Sequence, residues 1–173
     1  LEEITRVGNI NGVVPMNYHQ AAYGEQAKKL RLSAFFRTPA VWEYIGRDSD
    51  YQAWCRKLPC ARTKNPGLGA DSVIYAHCRR VQYKGNGTGS KPPYRGIPML
   101  ASVHNRQHAQ GESSVGGREW FEQEAIKYVH RWGWETLKKT LGYESWNQVP
   151  PTVLFGWATD FGLTKYLPSE YKY

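Results

Sequence analysis

Cysteine is scarce in this chain, and long apolar runs are missing. Three cysteines, Cys55, Cys60 and Cys78, stand at irregular spacing among 173 residues. An odd number at such spacing builds neither a disulfide framework nor a four-cysteine zinc site, and it fits a reducing, intracellular setting. A membrane-spanning helix needs about 18 or more consecutive apolar residues, and no such run occurs. The opening "LEEITRVGNI" lacks the basic-then-apolar plan of a secretory signal, so a soluble, cytoplasmic protein with no membrane partner is expected. Acidic residues are also few, 15 against 23 Lys and Arg, for a formal charge of +8. That excess favours a polyanionic partner such as DNA. No internal repeat or low-complexity tract is present, and the length suits one compact domain with an extension.

What is present is a sequence of elements around Asp71–Glu112. Residues 1–46 mix turn signals with one short helical pattern, "HQAAYGEQAKKLRLSAFF", interrupted at Gly24, and read as an N-terminal extension. "RDSDYQAWCRKLPC" predicts a second short helix, capped by Asp48 or Ser49 and stopped by Pro59. "SVIYAH" is β-branched and aromatic, a strand that ends on His77. "KGNGTGSKPP" is a loop, and "YRGIPML" is a second strand, at an edge because of Pro98. "SVHNRQHAQ" predicts a helix with Ser102 as N-cap and Gly111 as its end. From Gly117 onward "REWFEQEAIKYVHRWGWETLKKTL" and "PPTVLFGWATDFG" read as helices ending at Gly142 and Gly162. The fold class expected is α+β.

The spacing of the histidines suggests chemistry. Imidazoles at i and i+4 of a helix lie one above the other and can chelate one divalent first-row ion. His104 and His108 have that spacing, and Glu112 continues it as a ligand or as a group orienting one. His77, on a different element, can stand beside the ion as a general base, the arrangement phosphodiester hydrolysis uses. Arg79, Arg80, Lys84, Lys91, Arg95 and Arg106 surround these positions in sequence and are suited to holding phosphates. "GNGTGS" is no nucleotide cradle, because it lacks the Gly-Lys-Ser/Thr ending and runs into prolines. His19 and His130 are isolated.

Taken in order, "YQAWCRKLPC", "AH", "GTGSKPPYRGIPML" and "HNRQHAQGE" resemble the phage and prophage HNH (ββα-metal) endonucleases of the recombination-enhancement type, over about residues 50 to 112. The resemblance implies a ββα-metal hairpin-helix core over 47–116, with flanking helices and a C-terminal helical region, 117–173, packed on it. It implies a metal-dependent DNA endonuclease acting in phage recombination or DNA processing inside a bacterial host. His77 would be its base, supported by Arg79 and Arg80, with His104, His108 and Glu112 on one divalent ion. Magnesium or manganese is expected there, with zinc or nickel as alternatives.

Two departures from the family pattern sharpen these expectations. Relatives often carry a structural zinc on four Cys or His residues, and the corresponding positions here are Cys60, Thr63, Leu100 and Val103. One ligand cannot hold a tetrahedral zinc, so no structural zinc is expected and apolar packing takes its place. The residue before the base, a ligand in several relatives, is Ala76. The competing expectation is a DNA-binding recombination or structural protein that keeps the scaffold without cleavage.

Overall fold

The computed structural model describes residues 18–78 and 91–173. Helix α1 (Tyr18–Arg31) runs unbroken through Gly24. A Cβ at that position would be in ordinary van der Waals contact, 3.4 Å from Asn147 Oδ1. A short 3-10 turn, Trp146–Gln148, docks on α1. Lys28 Nζ donates to the carbonyls of Trp146 and Val149 at 2.6 and 2.8 Å, and Ser145 Oγ donates to Glu25 at 2.8 Å.

Helices α2 (Ser33–Phe36) and α3 (Pro39–Ile45) follow, and their Phe35, Phe36, Val41, Trp42 and Ile45 are buried. Leu32, Phe35, Phe36, Val41, Trp42 and Ile45 belong to the main core. Helix α4 (Asp48–Cys55) is closed at its start by Asp50, whose carboxylate accepts from the Arg47 amide at 3.3 Å. Asp48, an expected cap, instead accepts from the Tyr94 amide at 2.6 Å and from Gln52 Nε2 at 2.7 Å. It thereby ties α4 to the residues just before the second strand.

Strands β1 (Val73–His77) and β2 (Gly96–Leu100) form a two-stranded antiparallel sheet whose register pairs Val73 with Leu100 and His77 with Gly96. Pro98 faces Tyr75 in this pairing, and a two-stranded sheet has only edges, so the missing donor is tolerated. Helix α5 (Ala101–Gln110) begins at the residue after β2. A 3-10 turn, Glu112–Val115, leads into the long helix α6 (Arg118–Thr140), and α7 (Pro151–Asp160) lies near the C-terminus. The architecture is α+β, largely helical with one small sheet.

Two apolar clusters organise it. The larger gathers the aromatic residues of α2, α3, α4, α6 and the C-terminal segment, with Trp42, Tyr51, Trp132 and Trp146 almost fully enclosed. The smaller lies beneath the hairpin and α5, and contains Cys60, Ala76, Ile97, Met99, Leu100, Val103, Phe121 and Ala125. Helix α6 contributes to both, and Tyr128 packs against each. Among the described residues no helix is long and apolar enough to cross a membrane.

Candidate functional site

Alternation along β1 puts Ala76 on one face and Tyr75 and His77 on the other. Ala76 is fully buried in the smaller cluster. The rings of Tyr75 and His77 meet edge to face with centroids 4.6 Å apart. Gly96, opposite His77, has no side chain because the space is taken: a Cβ there would strike the Tyr75 ring and lie 2.6 Å from the Ala76 carbonyl. Tyr51 Oη donates to the Gly96 carbonyl at 2.9 Å, fixing the strand from below.

Helix α5 is capped from a distance. Asp71, just ahead of β1, accepts from the Ser102 amide at 2.8 Å and from Ser102 Oγ at 2.6 Å. Ser102 lies inside the first turn and is not the N-cap the sequence suggested. The same two hydrogen bonds hold the Asp71 carboxyl below its usual pKa. The Ala101 amide donates to the Ser72 carbonyl at 3.0 Å, so the start of α5 is locked to the start of β1.

One turn further on, His104 and His108 face each other with Nε2 atoms 3.1 Å apart and ring centroids at 4.3 Å. With His77, Gln107, Gly111 and Glu112 they line a cleft of about 150 Å³. That is room for several water molecules at roughly 30 Å³ each. The structure therefore brings His77, from the strand, to the same cleft as the two helical histidines.

Glu112 also lines the cleft, but not by extending α5. The helix stops at Gly111, whose φ of +83° lies in the left-handed region, and Glu112 opens the 3-10 turn. Its carboxylate accepts from Arg118 Nε at 2.9 Å. Among the described residues no group of three His, Cys, Asp or Glu side chains could hold one ion. The two imidazoles alone fit one, since bonds of about 2.0–2.1 Å can be made from both nitrogens at the observed separation.

Two lining or flanking residues were missed by the sequence reading. Gln107 stands three residues from His104, so helical spacing could have found it, and its buried Oε1 has no hydrogen-bond partner among the described residues. An amide oxygen can accept a hydrogen bond from a water in the cleft. Arg118 reaches Glu112 across Gly116 and Gly117, a contact that no periodicity signals.

The other expected phosphate-binding residues are scattered. Arg95 stacks over the Trp42 ring at 5.0 Å, and its carbonyl accepts from the Cys78 amide at 2.6 Å. Lys91 and Arg106 are exposed, and none of the three lines the histidine cleft. Arg79, Arg80 and Lys84 lie outside the described residues.

The four positions matched to a structural zinc do come together. Cys60, Leu100 and Val103 are buried in one apolar cluster. Burial alone would push the Cys60 thiol up, but hydrogen bonds from the Thr63 hydroxyl and from the amides of Leu100, Thr63 and Arg62 outweigh it and lower its pKa. One sulfur, two apolar side chains and a hydroxyl do not fit a four-coordinate zinc.

No protein-family model, curated protein or solved structure matches the chain.

Proposed function

We propose that the protein is a divalent-metal-dependent endonuclease of the HNH (ββα-metal) kind, acting on DNA phosphodiesters inside a bacterial cell in phage recombination or DNA processing. The observation that carries this reading is the shared cleft in which His77 meets the facing pair His104 and His108. His104 and His108 would hold the ion, whose chemistry there is to neutralise charge building on the phosphate and the departing oxygen. His77 accepts the proton of the attacking water as its oxygen bonds to phosphorus and the bond to the 3′ oxygen breaks. Tyr75, packed edge to face on His77, limits the orientations of that ring. Gln107 Oε1 can accept a hydrogen bond from water in the cleft. Two protein nitrogens converge among the described residues, so an ion held there would take its other ligands from oxygen groups, which suits magnesium or manganese. Lys91, Arg95 and Arg106 would bind the DNA backbone outside the cleft.

Cleavage of supercoiled, single-stranded and branched DNA by the wild type and His77→Ala, each with magnesium, manganese or EDTA, tests the proposal. Metal-dependent cutting should fall at least about 100-fold in the variant, the lower range for loss of a general base. A second reading, a DNA-binding scaffold without cleavage, is favoured by the Glu112–Arg118 pair, which engages the nearest carboxylate. Absence of cutting with every ion, alongside salt-sensitive DNA binding by both proteins, would establish it instead.

A further inference from the structure

A second cleft, of about 280 Å³, opens among α1, α2 and α6, and its walls include Lys29, Leu30, Arg37, Lys127, His130 and Arg131. Four of these six are cations. Lys127 and Arg131 are partly offset, by Glu124 at 2.6 Å and Glu135 at 2.9 Å. Lys29 and Arg37 form no ion pair among the described residues. His130 is buried, 7 % exposed, and it packs edge to face on Phe36 at 5.8 Å. Its Nε2 has no hydrogen-bond partner among the described residues. A buried ring nitrogen left unpaired beside two uncompensated cations is costly, and an oxyanion would satisfy all three at once.

We propose that this cleft is a second anion site, taking a phosphate group on Lys29, Arg37 and His130 independently of the histidine cleft. Phosphate offers several acceptor oxygens to a fork of donors, and the cleft has room for a phosphate with part of an attached sugar beside the exposed Leu30. Burial, then the charges of Lys29 and Arg37, lower the His130 pKa from 6.5 to about 4, so the free cleft holds a neutral ring at pH 7. An anion facing those cations should raise it. The phosphate can belong to a DNA strand or be free in solution.

The His130 ring signals, followed by NMR against pH on the whole chain in EDTA, read the site without any nuclease activity. Inorganic phosphate should move the His130 midpoint upward saturably, by about one unit. The surface double variant Lys29→Gln, Arg37→Gln should lose that movement, with its thermal midpoint checked to show that it folds. Duplex binding by fluorescence anisotropy then distinguishes the sources. A drop of about 2 in the salt slope of the double variant assigns the phosphate to DNA. An unchanged slope, with the phosphate response present in the wild type and lost in the double variant, assigns it to a free anion. A phosphate response that the double variant keeps overturns the proposal. A His130 midpoint that neither phosphate nor duplex moves overturns the proposal. His77→Ala should respond like the wild type, so failure of the nuclease reading and failure of this one are separately visible.

Discussion

The carboxylate of Asp71 carries the start of α5, and with it the position of His104 two residues beyond Ser102. Asp71→Asn keeps the shape but removes the charge that an N-terminal turn favours. Its folded-state pKa is depressed by Ser102, so the stabilisation is complete above the ordinary carboxylate range and is lost as pH falls through the folded value. Amide exchange of the first turn of α5 should therefore be faster in Asp71→Asn than in the wild type at pH 7, and the difference should shrink as acid protonates Asp71. A difference that acid does not diminish would contradict the charged cap. The sequence pointed to Ser102 because Ser directly ahead of a helical pattern is the usual local signal. A cap delivered from 31 positions earlier leaves no such trace. The i, i+4 spacing of His104 and His108 was legible because one helix determines it, whereas the Glu112–Arg118 contact depends on how Gly111, Gly116 and Gly117 turn the chain.

At the scale of elements, the site depends on a hairpin that is thin at one point. Tyr75 covers Gly96, Tyr51 anchors the Gly96 carbonyl, and His77 stands across from it. Gly96→Ala must displace either the Tyr75 ring or the β1 backbone, and overpacking of this kind costs about 1–3 kcal/mol. Urea unfolding should show a lower midpoint by that amount, and the His77 ring signals should move because Tyr75 packs on them. Wild-type stability with unmoved His77 signals would mean that the hairpin yields without consequence. Both strands and the helix after them were readable from β-branched runs and helical histidine spacing, whereas most of the expected glycine-rich loop lies outside the described residues. Helix α1 was misjudged at Gly24, because one glycine costs a helix only about 1 kcal/mol and the packing of α1 on Trp146–Gln148 offsets it. The burial of Phe35, Phe36 and Trp42 was not legible because these residues fall in helices too short to show a period.

Across the whole molecule, one helix joins two cores. Phe121 and Ala125 of α6 lie in the smaller cluster that carries the histidine cleft, and Val129, Trp132 and Leu137 lie in the larger. Tyr128, half-buried with burial raising its pKa, touches both. A helix cannot melt in its middle without losing contacts on either side, and domains below about 150 residues usually unfold in one step. The described part is of about that size, so the prediction is a single transition. Tryptophan fluorescence reports mainly the larger core, through Trp132, Trp134 and Trp146, and the ring signals of His104 and His108 report the smaller. The two should change at the same urea concentration. Phe121→Ala, expected to cost about 3–5 kcal/mol as a large core truncation, should shift both probes together although the residue touches only the smaller cluster. If the histidine signals move first while tryptophan emission stays native, the clusters are separate folding units, and the hairpin and α5 then open without the rest of the molecule. The coupling would matter for function as well, since α6 also carries His130 and Arg131 of the basic cleft. Both clefts would then be held by the same cooperative unit, and loss of either core should disable the proposed cutting and the proposed phosphate binding at once.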